Sequence, residues 1–149
     1  MAAGARRKPA AEDDDVSDDD GLVTIRSAHP VPETIDRLVT AVTSRGMTVF
    51  ARVDHAAGAA KVGLELRPTL LVIFGNPTGG TPLMQDRQTV GVDLPVKALA
   101  WEDAAGAVWL TYNDPRWLAA RHGLGTASAS AVATMAAALA GLATGAAGA

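Results

Sequence analysis

The run TLLVIF at residues 69–74 limits the possible folds more than any other stretch of this chain. It is apolar at nearly every position and bounded by Pro68 and Gly75, so it reads as a central strand of a sheet. Its neighbours differ. Residues 22–27 (LVTIRS) and 47–53 (MTVFARV) alternate apolar and polar, the pattern of strands with one buried face. Residues 96–101 (VKALAW) and 107–112 (AVWLTY) flank the segment EDAAG, which reads as a hairpin turn. Five strands result.

Helical signals fall between and after them. Ile35, Leu38, Val39 and Val42 form one apolar stripe at i, i+3, i+4 and i+7, and Gly46 supplies a left-handed stop. Asp54 is placed to cap a short Ala-rich helix over residues 55–63. Residues 75–80 (GNPTGG) read as a loop, with a helix opened by Thr81 as cap and Pro82 as first helical residue. Asp114 and Pro115 start a further helix that ends at Gly123, and residues 126–143 form an Ala-rich final helix. There is no repeating βαβ pattern and no glycine fingerprint of a doubly wound fold. The expected class is α+β, a mainly antiparallel five-stranded sheet covered by helices.

Charge divides the chain. Residues 1–21 hold seven acids and three bases, or about −4, without hydrophobic periodicity; a self-repelling stretch of this kind is expected to be disordered. The remainder has nine acids and ten bases, about +1, too little field to attract nucleic-acid phosphates. No nucleic-acid partner is expected. Cysteine is absent, which removes disulfides and thiolate sites, and no apolar segment follows Arg6, Arg7 and Lys8 as a secretory signal would require. A cytoplasmic location is expected. The final helix offers mostly Ala, broken by Ser128, Ser130, Thr134 and Gly141, so a packing or oligomer-forming role is expected rather than membrane insertion. With aromatics at only 4%, Trp101, Trp109 and Trp117 are expected to act as large anchors.

The motifs GMTVFARVDH (46–55), FGNP (74–77), GTPLM (80–84), DLP (93–95) and WLTYN (109–113) together resemble the domain of unknown function 302 (DUF 302) family. The likeness covers residues 22–124, with residues 125–149 forming an Ala-rich helix and a frayed end. It implies a compact fold of TATA-binding-protein-like topology and a homodimer. It implies no reaction, substrate or cofactor. Its motif positions here are Asp54, His55, Asn76, Pro77, Thr81, Tyr112 and Asn113, which become the candidate ligand-binding residues.

Their chemistry admits several readings. His55 exchanges protons near neutral pH and a carboxylate such as Asp54 could orient it, but both residues also suit a strand-to-helix corner. The loop at 75–81 lets backbone approach a ligand and leads into a helix start that favours an anion; as a plain turn it would be stitched by Asn76. Tyr112 and Asn113 close a strand and could bond structurally or to a ligand. The three histidines are far apart in sequence, so no metal site is expected. Three functions stay open. The first is a homo-oligomeric module binding a small polar or anionic molecule where positions 54, 76, 81 and 112 converge. The second is an enzyme using His55 as general acid or base. The third is a protein–protein adaptor acting through the acidic tail or the last helix.

Overall fold

A computed structural model describes residues 20–149. The expected disordered tail lies outside the described residues, apart from Asp20 and Gly21. Strands β1 (Leu22–Ser27), β2 (Thr48–Asp54), β3 (Thr69–Gly75), β4 (Val96–Glu102) and β5 (Val108–Asn113) form one antiparallel sheet in the order β1-β5-β4-β3-β2. Helices α1 (Val31–Ser44), α2 (His55–Lys61), α3 (Pro77–Asp86), α4 (Pro115–His122) and α5 (Ala129–Ala147) complete the fold.

The α1 stripe buries Ile35, Leu38 and Val42 on the sheet's inner face. There they meet Val72, Phe74, Leu110 and Tyr112 from the strands and Leu139 and Leu142 from α5. Long-range pairing holds the two ends of the strand series together, since β1 docks beside β5 in register Leu22↔Asn113 to Ser27↔Val108. The hairpin between β4 and β5 closes because the Asp103 carboxylate accepts the Ala105 and Ala107 amides and the Trp109 indole N–H. Those bonds, the Trp109 one foremost, hold its pKa below the ordinary aspartate value.

Helix α3 begins five residues earlier than the sequence pattern suggests. Asn76, not Thr81, is the cap: its side-chain oxygen accepts from Gly79 N–H at 2.9 Å, and Pro77 takes the first helical position. A good cap followed by proline starts the helix despite Gly79 and Gly80, and Pro82 falls inside it. A separate 3-10 helix, Gln88–Asp93, links α3 to β4.

The C-terminal end is not frayed, contrary to expectation. Arg37 donates to the carbonyls of Gly145, Ala146 and Gly148, Ala28 N–H donates to Ala147 O, and Ala146 and Ala147 are buried. A guanidinium at a helix end satisfies carbonyls that have no partner within the helix and complements its dipole. By length and composition the segment Thr126–Ala147 could cross a membrane; in this fold one face of it packs on α1 and the sheet.

The sheet's outer face belongs to neither buried cluster. Leu71, Ile73, Leu99, Trp101 and Trp109 lie there only partly covered. The two indoles stand 6.4 Å apart and Arg26 lies over Trp109.

Candidate functional site

The predicted site residues fall into three places. Asp54 and His55 sit at one end of β2, where the Asp54 carboxylate caps α2 by accepting from Ala57 N–H at 2.9 Å, and both are exposed. Asn76 is at the other end of the same strand pair, because Thr48 pairs with Gly75 and Asp54 with Leu70. Six residues of ladder, at ~3.3 Å each, put about 20 Å between them. Tyr112 points into the main core, and Asn113 alternates to the outer face, two strands away from β3. Positions 54, 76 and 112 therefore do not converge. The proposed joint pocket does not form, since an antiparallel ladder carries the two turns of one strand to opposite ends.

Asn76, Pro77 and Thr81 remain together, on the rim of a different cavity. It has a volume of about 520 Å³ and lies between α3 and α5, at the edge of the sheet formed by β2 and β3. Its floor is Phe74, fully buried on β3, with Val96 and Pro95 beside it. One wall is α5, through Thr134, Met135, Ala138, Leu139 and Leu142. The opposite wall is Met84 of α3 with Gly91 and Leu94 beyond. Met47 and Phe50 close the β2 side. Phe50 reaches the rim because β2 bulges there: Val49 pairs with Phe74 and Ala51 with Ile73, leaving Phe50 unpaired and 53% exposed.

Two polar clusters brace the walls. Asp86, at the end of α3, accepts from Ser128 Oγ at 2.7 Å and Gly125 N–H at 2.9 Å, which ties α3 to the start of α5. These bonds, Ser128's above all, hold the Asp86 carboxyl below its ordinary value. Asp93 faces His122 Nε2 at 2.6 Å and accepts from Arg121 Nη1 at 3.0 Å, while Thr89 Oγ1 meets His122 Nδ1 at 3.1 Å. That cluster staples the 3-10 helix onto α4 and so fixes Gly91 and Leu94 in the pocket wall. Among the described residues no group of three or more His, Asp or Glu side chains is arranged to hold a metal ion.

The sequence reading did not find Met47, Phe50, Met84, Met135 or Ala138 as pocket residues. No local pattern marks them, though three of the four methionines and both phenylalanines of the chain line this one cavity.

A five-stranded antiparallel sheet backed by helices, with a cavity at its edge, defines an α+β domain. The chain belongs to the family described as Domain of unknown function DUF302, whose model matches residues 23–142. The fold agrees with that of the uncharacterized conserved protein DUF302 from Bacillus stearothermophilus, with a TM-score of 0.73, 20% identity, and coverage of 82% of this chain and 94% of that one. Proteins named Fluoride-specific ion channel FluC 1 from Brucella suis biovar 1 (strain 1330) and Brucella abortus biovar 1 (strain 9-941) are 60% identical over 117 residues. The match covers 78% of this chain but 46% and 43% of those proteins, so the chain spans less than half the length of these curated relatives.

Proposed function

We propose that this domain is a homo-oligomeric binding module that holds a small molecule in the cavity between α3 and α5. The cavity itself carries this reading. Its volume of about 520 Å³ lies within the ~300–1,000 Å³ typical of small-molecule sites, and such sites are lined mainly by apolar groups with a few polar ones. The acid–base reading has less support, because His55 stands exposed about 20 Å along the ladder from Asn76. Oligomerisation is supported by the outer sheet face, where Leu71, Ile73 and Leu99 come from strands whose apolar runs suit burial on both sides.

Native mass spectrometry of the purified chain tests both parts. The expected result is a dimer retaining an organic molecule, and an Ala138→Trp variant that stays dimeric but has lost that mass. An equally loaded Ala138→Trp protein would place the ligand elsewhere. A monomeric parent protein would remove the oligomer from the proposal.

The Brucella relatives favour a second reading, in which the domain is a cytoplasmic accessory unit of a fluoride-specific ion channel. Fluoride-sensitive bacteria carrying such a channel should tolerate more fluoride when this chain is co-expressed, and should gain nothing from the chain alone. No added tolerance in the presence of the channel would end this reading, and so would tolerance from the chain alone.

A further inference from the structure

We infer that the cavity takes an uncharged molecule with a flexible aliphatic body and a single hydrogen-bonding head, a neutral single-chain amphiphile; the inference rests on the binding reading above. Three observations lead to it. First, among the described residues no Asp, Glu, Lys, Arg or His lines the cavity. A charged group drawn into such a site would lose its hydration and gain no counter-charge, so charged ligands are strongly disfavoured there.

Second, the helix start that suggested an anion site has already committed its first-turn amides apart from that of Thr78. Pro77 has no N–H, Gly79 N–H goes to Asn76 Oδ1 at 2.9 Å, and Gly80 N–H goes to Asn76 O at 3.2 Å. What the rim offers is neutral: the hydroxyls of Thr78, Thr81 and Thr134, the Asn76 carboxamide and the Thr78 amide. Hydroxyls can donate to or accept from an alcohol, ester or amide head without any ionisation.

Third, the walls are built from the most adaptable apolar side chains the chain has. Outside this cavity the packing is almost wholly Ala, Val, Leu and Ile. Inside it stand Met47, Met84 and Met135, with Phe50 at the mouth and Phe74 on the floor. Unbranched thioethers follow the shape of a flexible chain and suit sites that take related ligands of varied length. Charge, donors and shape point to one class.

The test compares three probes that share a ten-carbon chain and differ only in the head: 1-decanol, decanoate and decyltrimethylammonium, each below its aggregation concentration at pH 7. Binding to the full chain is followed by calorimetry and thermal shift. Decanol should bind one to one and at least tenfold more tightly than either ion. Along an alcohol series from hexanol, affinity should rise about fourfold per methylene until the trough is filled. Thr134 is exposed on the rim, so Thr134→Lys should keep the fold and shift the preference towards decanoate by at least tenfold. Decanoate binding as tightly as decanol to the unaltered chain would overturn the neutral-ligand inference while leaving the binding reading in place. An unchanged preference in Thr134→Lys would overturn it as well, by placing the head away from this rim. Binding of none of the probes, with no molecule retained in native spectra, would remove the binding reading itself.

Discussion

Replacing Gly21 with alanine should lower the melting temperature by about 5–15 °C, an effect out of proportion to one added methyl group. Two costs combine. Gly21 has φ +75°, a left-handed backbone that costs a residue with a Cβ about 1–2 kcal/mol. A Cβ at this position would also stand 2.3 Å from the Trp117 ring, and forced overpacking typically adds about 1–3 kcal/mol. The backbone cannot easily step aside, because Gly21 O accepts from Asp114 N–H at 2.8 Å and so joins the start of β1 to the cap of α4. Gly46→Ala is the matched control, with φ +77° and nothing within 4 Å of the added carbon. It should show the backbone cost alone. Calorimetry of both variants, and of Gly21→Ala in a Trp117→Ala background, separates the two contributions. Equal losses for Gly21→Ala and Gly46→Ala would mean that Trp117 does not cover Gly21.

That contact also shows where the sequence stopped being informative. A glycine at the edge of an acidic segment reads as the last residue of a tail, and nothing local reveals that an indole 96 positions later rests on it. Periodicity, by contrast, is a local property, and it located all five strands and the α1 stripe. Caps were legible where a side chain and a proline agreed, as at Asp114 and Pro115. They misled where two such pairs competed: Asn76 with Pro77 prevailed over Thr81 with Pro82. The candidate site fared worse for a topological reason. Motif residues adjacent in a family pattern need not be adjacent in space, and the β2–β3 ladder separates His55 from Asn76. The cavity draws on β2, β3, α3, the stretch before β4, and α5, so only pairing order could assemble it. Met47, Phe50, Phe74, Met84 and Met135 are spread along the chain, and only the fold gathers them.

Phe74→Ala should prove the costliest single truncation in the sheet, at about 3–5 kcal/mol of unfolding free energy by chemical denaturation. Phe74 is fully buried and is the largest fully buried side chain among the described residues. It touches both halves of the molecule, packing in the main core and forming the floor of the cavity. Leu110→Ala provides the comparison, since Leu110 is equally buried in the same core but does not line the cavity; it should cost about 2–5 kcal/mol. The two holes differ in what can refill them. A void at Leu110 lies apart from the cavity, so it does not lengthen the trough that a ligand enters. Loss of the Phe74 ring deepens an existing opening, so Phe74→Ala should prefer a longer alcohol than the parent protein does. A ligand at a hundred times its dissociation constant stabilises the folded state by ~2.7 kcal/mol. A long-chain alcohol should therefore recover a large part of the Phe74→Ala loss, whereas Leu110→Ala should keep the parent's chain-length preference. A cost below ~1.5 kcal/mol for Phe74→Ala would show that the ring is not packed as a core residue. A full cost with an unchanged chain-length optimum would show that the core and the cavity do not share this floor.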